Sequence, residues 1–336
     1  VEINGGHWVE LHNIRVTDGF NGIFVDNLGR LVLENVVANF NEENGLFFDF
    51  GGRVDIRDSV FSNNGDDGAD IEELNKVYIK NSYFNENFNI GVNIRNVIDR
   101  VSIKHSEAKY NLEDGLDISD ADIVAAEFSH FSYNEDDGVQ INRVNYSSFS
   151  ESSANYNGQN GVEGLLNGSN IFKWFDANNN GGLVDIDPGD EFLFGNGIAL
   201  GESYYIMVEG GHFNNNNNDG ILLVDTHMAD FYEVNAKGNG DDGVDMFAFD
   251  RVAFRNGHFS NNYDDGIDLA GSLENGNGDP QLLARTGDQT ENYDVSIVGG
   301  FYWDNVSNGI EVDFVGSAYV ASVSALRNGR DGVDVD

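Results

Sequence analysis

The sequence predicts an all-β solenoid, in which coils of about 23 residues stack along one axis. Three observations support this fold class: a glycine that recurs at a fixed period, an asparagine at a constant distance before it, and short stretches in which apolar and polar residues alternate. The repeat is clearest in residues 259–269, which read Phe-Ser-Asn-Asn-Tyr-Asp-Asp-Gly-Ile-Asp-Leu. No stretch has a sustained helical period, so helices are not expected.

A glycine marks each repeat, and eight of the twelve intervals between consecutive copies are 23 residues long. A fixed period of roughly 20–50 residues is typical of solenoids and arrays. The copies are Gly22, Gly45, Gly68, Gly91, Gly115, Gly138, Gly161, Gly182, Gly220, Gly243, Gly266, Gly309 and Gly332.

Asparagine stands four residues before the glycine in every repeat but the first, which has Asp18. A turn residue that recurs in each coil predicts a ladder of stacked side chains inside one turn. Its members are Asn41, Asn64, Asn87, Asn111, Asn134, Asn157, Asn178, Asn216, Asn239, Asn262, Asn305 and Asn328.

An aromatic residue or alanine occurs seven residues before most of the glycines, as in Phe61, Ala108 and Phe175. Bulky and small residues that share one column predict an interior stack in which neighbouring layers interlock.

Two short strands are predicted in each coil. One follows the glycine, as in Val139-Gln140-Ile141, and the other begins about fourteen residues before it, as in Val54-Asp55-Ile56. Alternation with period two indicates that each strand turns one face inward. Equivalent strands of successive coils should therefore stack in parallel.

The Asn-x-x-Asp-Gly-apolar-x-apolar repeat resembles that of the pectate-lyase-like superfamily over nearly the whole chain. The resemblance implies a right-handed parallel β-helix of about 13–14 coils with a 23-residue repeat. It also implies an extracellular or cell-surface location. It leaves the function open, because this fold carries lyases, hydrolases, epimerases, tailspikes and adhesins.

The composition is strongly acidic, with 58 acidic and 18 basic residues and a formal net charge of −40. Such a charge should repel nucleic acid, anionic lipid and, unless cations bridge them, polyuronates. The sequence has no cysteine and no apolar run of transmembrane length, so neither disulfides nor membrane insertion is expected.

The uninterrupted repeat predicts one elongated domain over residues 1–336. Two insertions break the period, near residues 185–203 and 271–293, and both are expected to leave the same edge and to wall a groove. Both chain ends run through strand-like sequence without a polar cap. This favours a segment of a longer chain, and head-to-tail self-association is the other interpretation.

Acidic residues recur just before the glycine and two residues after it, where the alternation predicts that they point outward. Carboxylates stacked one coil apart repel each other unless they are solvated, protonated or bridged by a cation. Calcium is the predicted cofactor, because it accepts six to eight oxygen ligands. The alternative is a solvated turn in which Asp simply favours the bend. The candidate metal ligands are Asp242, Asp245, Asp265, Asp268, Asp67 and Asp70.

Paired carboxylates are also the machinery of glycoside hydrolysis, so Asp242, Asp245, Asp265 and Asp268 are the catalytic candidates if the protein is an enzyme. The resemblance adds motifs that are absent here, such as the Gly-His-Gly of polygalacturonases and the Asp-Pro-His-Glu of mannuronan epimerases. Lyases of this fold use Lys or Arg as base or charge clamp. The arginines nearest the insertions are Arg251, Arg255 and Arg285.

Exposed aromatic rings near the insertions are candidates for stacking on sugars, although packing of the loop roots is an alternative. Histidines in a shared column next to the aromatic stack are candidate ligands or acid-base groups. The carbohydrate-binding candidates are Tyr204, Tyr205, Trp303, His212 and His258.

Taken together, these features favour an extracellular structural or adhesive solenoid, stabilised by calcium, within a larger surface protein or fibre. The alternative is a polysaccharide-processing enzyme, either a glycoside hydrolase, a lyase or an epimerase, with its groove between the insertions. The expected partner in either case is a polysaccharide or cell-surface glycan.

Overall fold

A computed structural model describes residues 1–181, 195–271, 294–313 and 315–335. Over these residues the chain is an all-β parallel solenoid of about 13 coils, which confirms the predicted fold class and repeat. The described residues contain no helix, and therefore none long and apolar enough to cross a membrane.

The strands follow one another in a regular cycle around the solenoid. In chain order they are β1 Glu2–Gly6, β2 Val9–His12, β3 Arg15–Val16, β4 Ile23–Glu34, β5 Val37–Ala38, β6 Leu46–Arg57, β7 Ala69–Lys80, β8 Val92–Lys104, β9 Leu116–Glu127, β10 Val139–Asn142, β11 Tyr146–Ser150, β12 Val162–Leu165, β13 Ser169–Lys173, β14 Ile198–Gly201, β15 Tyr205–Glu209, β16 His212–Asn214, β17 Ile221–Tyr232, β18 Asn235–Lys237, β19 Val244–Arg255, β20 His258–Ser260, β21 Ile267–Ala270, β22 Asp294–Val298, β23 Phe301–Trp303, β24 Ile310–Asp313, β25 Ser317–Ala321, β26 Ser324–Leu326 and β27 Asp334–Val335.

Each coil has three faces separated by three sharp corners. In the coil of β19 and β20, face 1 is residues 244–247, face 2 is residues 251–255 and face 3 is residues 258–260. The corners are Ala248, Asn256 and Asn261, which have φ of 52°, 56° and 58°. Faces 1 and 2 form a parallel sheet of 20 strands, whereas face 3 forms smaller sheets of five and two strands. Face 3 was not predicted as a strand.

Inward-facing side chains fill the solenoid in stacked columns. Ala69 and Ile71 on face 1 are both fully buried, as the alternation predicts. The predicted aromatic and alanine column is also inside: Phe61 stacks on Phe84 with ring centroids 5.3 Å apart, and Phe259 stacks on Tyr302 at 5.4 Å. Parallel rings one coil apart are a favourable offset arrangement in addition to the apolar area that they bury.

The predicted asparagine ladder is present and joins each coil to the next. Asn134 Oδ1 accepts the backbone N–H and the side-chain amide of Asn111, at 3.2 and 3.0 Å. Asn134 donates in turn to Asn157 Oδ1 at 3.1 Å from its backbone and at 3.2 Å from its side chain. Its amide also lies 3.3 Å from the carbonyl oxygen of Ala108. The ladder therefore gives partners to backbone and side-chain groups that the turn would otherwise leave unpaired inside the protein.

The recurring glycine is required because the coils approach closely beside this ladder. A Cβ on Gly68 would lie 2.5 Å from the carbonyl oxygen of Gly91 and 2.8 Å from Asn87 Nδ2. No side chain fits there without moving the backbone of the next coil, which explains the period in the sequence.

The structure corrects the predicted register at the first insertion. Val162 pairs with Ile198, and Ile198 pairs with Ile221, so the glycine that continues the column is Gly197 and not Gly182. Strand β14 is therefore a regular part of face 1, although it was assigned to the insertion.

The ladder positions shift accordingly. Asn180, not Asn178, bonds to Asn157 and to Asn216, both at 3.1 Å. Ala177 takes the place predicted for Phe175, which is buried beside Phe172 instead. Several asparagines and two glycines are adjacent in residues 178–182, so more than one register satisfies the sequence pattern.

Most residues of the two predicted insertions, 182–194 and 272–293, lie outside the described residues. Their described flanks show where they leave the solenoid. The first departs between Gly181 and Gly195, in the turn before face 1, and the second between Gly271 and Asp294, between faces 1 and 2. The prediction that both leave the same edge is therefore wrong.

We expect Asn134→Ala to destabilise the protein more than Asn85→Ala. The first change removes the acceptor of two donors on Asn111 and the amide donor to Asn157 Oδ1 and Ala108 O, and an unsatisfied buried group costs about 1–3 kcal/mol. Asn85 is only half-buried, and its Oδ1 accepts a backbone bond from Lys109 at 2.9 Å. Thermal or urea unfolding of the two variants measures the difference, and equal effects would contradict the role given to the ladder.

Candidate functional site

A second ladder of Asn and Asp side chains lies immediately before the glycine column. Each Oδ1 accepts a hydrogen bond from the backbone N–H one coil further on, as from Asn160 to Asp137 at 2.7 Å and from Asp242 to Asp219 at 2.9 Å. Because the ladder needs only an acceptor oxygen, Asn and Asp both serve. Its described acceptors are Asn21, Asn44, Asp67, Asp114, Asp137, Asn160, Asn196, Asp219, Asp242, Asp265 and Asn308.

The acids of this second ladder are buried, so the alternative of a solvated turn is wrong for them. Asp67 is 3% exposed and Asp242 is 5% exposed. Burial raises the pKa of Asp67 to about 7 and that of Asp219 to about 8. It also raises the pKa of Asp242 well above its usual value, with the Asp219 carboxylate adding to the shift. Burial therefore disfavours the ionised form of these carboxyls more strongly than the bond from a backbone N–H favours it.

The acids two residues after the glycine face away from the core, but neighbouring coils cover them. They point outward as predicted, but Asp70 is only 9% exposed and Asp245 only 8% exposed. Burial also raises the pKa of Asp117 to about 6 and that of Asp268 to about 7. The stacking of coils shields these outward-facing carboxylates from water. The period-two alternation of the sequence predicts the direction of a side chain but not this shielding.

The four catalytic candidates lie where the repeat places them. The pair Asp242 and Asp245 matches the pair Asp67 and Asp70 in burial, and the first acid of each pair accepts a backbone bond from the next coil. In these two respects the pair Asp242 and Asp245 matches the repeat-turn interpretation.

Among the described residues, three groups of acids bring one oxygen from each member within 4.8 Å of the others. Asp242 and Asp245 meet Asp219, which was not among the predicted metal ligands. The signal that could have found it is an offset of 26 residues, which also joins Asp67 to Asn93 through a hydrogen bond of 3.2 Å. The other groups are Asp114 with Asp136 and Asp137, and Asp241 with Asp242 and Asp264.

Face 2 has a different charge from the rest of the chain. Ten of the 18 basic residues have outward positions on its strands, against seven of the 58 acidic residues. The net charge of the chain conceals this segregation. We call this surface the basic face; its basic residues are Arg30, Arg53, Arg57, Lys76, Lys80, Arg100, Lys104, Lys173, Arg251 and Arg255.

At its amino-terminal part the basic face is organised by one buried carboxylate. Asp55 accepts bonds from Arg53 Nε at 2.8 Å and Arg30 Nε at 3.0 Å, and Arg57 lies 3.5 Å away. Burial opposes the ionisation of Asp55, but the hydrogen bonds from Arg53 and Arg30 outweigh it and hold its pKa below the usual value. Arg53 also stacks over the ring of Tyr78 at 4.2 Å. Three guanidinium groups on one carboxylate leave a positive surplus at this place.

At its carboxyl-terminal part the basic face contains a shallow groove of about 540 Å³. Tyr205 donates a hydrogen bond to Asp230 Oδ2 at 3.0 Å, and Arg251 lies 4.0 Å from the same oxygen. Burial, and then the bond to Asp230, raises the pKa of Tyr205 above its usual value. Arg255 and Tyr232 complete the groove. Two of the three arginines predicted near the insertions thus meet here, whereas Arg285 lies outside the described residues.

The five carbohydrate-binding candidates are divided between surfaces. Tyr205 lies in the groove, and Tyr204 is exposed at the preceding corner beside His227, with ring centroids 5.6 Å apart. The other three belong to face 3. His212 pairs with Asp176 at 2.8 Å on that face, while the ring of His258 lies 5.8 Å from that of Trp303.

Comparison with known proteins identifies the fold. A family profile described as "Right handed beta helix region" matches residues 1–126 and 99–275. No match was found among curated protein sequences.

Several solved structures are similar in fold. Two variants of the periplasmic alginate epimerase AlgG superimpose with TM-scores of 0.50 and 0.51, each at 13% identity, covering 92% and 90% of this chain and 76% of theirs. The A-module of mannuronan C-5 epimerase AlgE4 from Azotobacter vinelandii has a TM-score of 0.46 at 12% identity, covering 99% of this chain and 90% of its own. At these identities the likeness shows the fold alone.

We expect Asp67→Asn to stabilise the protein above pH 7 in the presence of a chelator. The folded state keeps the Asp67 proton up to a pKa of about 7, whereas the unfolded carboxyl loses it near pH 4. Stability therefore falls as pH rises from about 4 to about 7, and the substitution removes this loss. The new amide still accepts the bond from Ile90, and it can donate to Asn93 Oδ1, a buried oxygen without a partner among the described residues.

Melting curves between pH 4 and pH 8 measure this effect, with a rise of roughly 2–5 °C expected at pH 8. Asp58→Asn, at an exposed corner, is the matched control and should leave the pH profile unchanged. A variant at position 67 that follows the wild-type profile would contradict the buried carboxyl.

Proposed function

Because this chain belongs to the right-handed β-helix family, we propose that it binds an acidic polysaccharide along its basic face. The observation that carries the proposal is the segregation of charge: ten of the 18 basic residues lie on this one surface of a chain whose net charge is −40. The expected extracellular or cell-surface location and the adhesive role are kept in this proposal, as is the glycan partner.

The charge pattern favours a polyanion that binds on one surface of the solenoid, the basic face. The rest of the chain has 51 acidic and eight basic residues, so complementary charge favours the basic face more strongly than it would on a neutral protein. Equivalent side chains recur about 4.8 Å apart along the axis, which suits an extended polymer. The six coil steps from Arg100 to Arg251 span roughly 30 Å, long enough for a chain of several sugars to contact both basic parts.

The groove supplies the contacts that a uronate chain needs. Arg251 and Arg255 offer planar guanidinium groups, which bind carboxylates through paired hydrogen bonds. Tyr205 and Tyr232 offer rings for the apolar sides of the sugars. Met207, Asp230 and Ala253 form the central column between these groups, and the one carboxylate in this column is contacted by Tyr205 and Arg251.

Binding to polygalacturonate and alginate, measured by affinity electrophoresis and calorimetry at 0.15 M salt, tests the proposal. We expect the double variant Arg251→Gln and Arg255→Gln to bind at least about tenfold more weakly, a loss of about 1.4 kcal/mol. Arg327→Gln is the matched control, because Arg327 is exposed at a corner away from the basic face and pairs with Asp304 at 2.6 Å.

Three outcomes would contradict the proposal: no uronate binding by the wild type, equal loss in the control, or equal binding of neutral dextran. Equal binding of single-stranded nucleic acid would show a general polyanion site in place of a glycan site.

Processing of the bound polysaccharide is a second candidate, favoured by the arrangement of Tyr205, Asp230 and Arg251. Removal of the proton beside a uronate carboxylate needs a cation on that carboxylate, a base and a proton donor. Arg251 suits the first role and Asp230 the second. Tyr205 suits the third, because a phenol, with an ordinary pKa of about 10, carries its proton at neutral pH.

NMR of uronate oligomers incubated with the protein distinguishes binding from turnover. We expect turnover, if it occurs in this groove, to be lost in Tyr205→Phe and kept in Asp245→Asn, since Asp245 lies on face 1. Loss in the second variant alone would place catalysis at the acids of face 1, and no turnover in the wild type would leave a binding protein.

A further inference from the structure

We propose that a calcium ion binds between the coils at the edge of face 1, held by the carboxylates of Asp219, Asp242 and Asp245. One oxygen from each residue lies within 4.8 Å of the other two, and all three residues are buried. The site uses none of the residues that line the groove of the basic face. It therefore goes beyond the proposed polysaccharide binding.

The repeat brings these three residues together from two coils. Asp219 and Asp242 are consecutive members of the second ladder, joined by the bond from Asp242 N to Asp219 Oδ1. Asp245 is the second residue of face 1, two residues after Gly243, with its side chain on the outer side of the strand. The 26-residue offset places it against Asp219 of the preceding coil, as Asn93 stands against Asp67.

Calcium is compatible with three carboxylate oxygens that all lie within 4.8 Å of one another. Calcium takes oxygen ligands at about 2.3–2.6 Å in flexible geometry, so ligands on opposite sides of the ion are up to about 5 Å apart. Magnesium requires about 2.1 Å, near-octahedral geometry and several retained waters.

A buried oxygen without a partner points to a bound ion independently of the cluster. Asp245 is 8% exposed, and its Oδ1 has no hydrogen-bond partner among the described residues. The ladder bonds occupy Oδ1 of Asp219 and Oδ1 of Asp242, so each carboxylate has a second oxygen outside the ladder. An uncompensated carboxylate in this position costs free energy, which a divalent cation would offset.

The amino-terminal coils show what compensates the same position elsewhere. There Arg95 reaches back from the next coil, and its Nη2 lies 2.9 Å from Asp70 Oδ1. The strand register places Ala270 at the position relative to Asp245 that Arg95 has relative to Asp70. Alanine supplies no charge. Burial raises the pKa of Asp245 most, the charges of Asp219, Asp268 and Asp241 raise it further, and the backbone bond from Met246 lowers it.

Calorimetric titration of the chelator-stripped full chain with CaCl₂, at fixed ionic strength, tests the proposal. We expect Asp245→Asn to take up one calcium ion fewer than the wild type. The variant should fold, because Asn93 occupies the equivalent position in an earlier coil. A similar group, formed by Asp114, Asp136 and Asp137, can also bind an ion. The titration therefore compares the number of ions bound by the variant with the number bound by the wild type.

Two further variants separate the site from general effects of charge. Asp70→Asn, whose carboxylate is already compensated by Arg95, should keep the wild-type stoichiometry. Ala270→Arg places a guanidinium where the ion would bind, so it should lose one calcium ion, and calcium should raise its melting temperature over that in EGTA by less than it does in the wild type. The wild type should melt roughly 5 °C higher with calcium at a hundredfold excess over Kd.

The proposal is overturned if the wild type takes up no calcium, or if Asp245→Asn and Ala270→Arg bind as many ions as the wild type. Equal uptake of MgCl₂ would overturn the assignment to calcium. Sodium chloride at matched ionic strength controls for screening of the net charge.

Discussion

The structure depends on the in-register contact between successive coils. Strands of successive coils pair in parallel on each face. In the turn before face 1, several backbone N–H groups have no backbone partner of this kind. Asparagine supplies the missing acceptors there. Asn134 Oδ1 accepts two hydrogen bonds from Asn111, and the Asn134 amide donates one to Asn157. The same contact is so close that only glycine fits beside it. One constraint, the distance between coils, thus explains both the ladder and the period of the sequence.

Stacking in register has an electrostatic consequence, because any charged position repeats about every 4.8 Å along the axis. Acidic columns would be unstable without compensation, and the chain offers different solutions at equivalent positions. Backbone N–H groups approach the carboxylate of Asp67, and a guanidinium approaches that of Asp70. Asn160 and Asn196 avoid the charge altogether while they keep the acceptor oxygen. At Asp245, Ala270 stands where the guanidinium would be, and a dissolved cation is the means of compensation that we propose there.

The sequence predicts the fold well because glycine, asparagine and the alternating strands obey the same period, so an error in one signal is corrected by the others. It fails locally where that redundancy is lost. Residues 178–182 offer several asparagines and glycines, and only strand pairing through Ile198 decides between Gly182 and Gly197. The candidate site was harder to predict, because it depends on contacts between coils. Asp219 meets Asp245 at an offset of 26 residues, while the repeat itself draws attention to offsets of 23.

The basic face also depends on contacts between coils, and it can be found when the sequence is aligned by its repeat. A sum over the chain gives −40 and suggests that any polyanion is repelled. Written in register, however, Arg30, Arg53, Lys76 and Arg100 form one column, and Arg57, Lys80 and Lys104 form another. The two columns are four residues apart on the same strands, so they lie roughly 13 Å apart on either side of a narrow floor. A repeat protein therefore has to be assessed column by column: net charge governs how it repels at long range, whereas the columns determine what it can hold on contact.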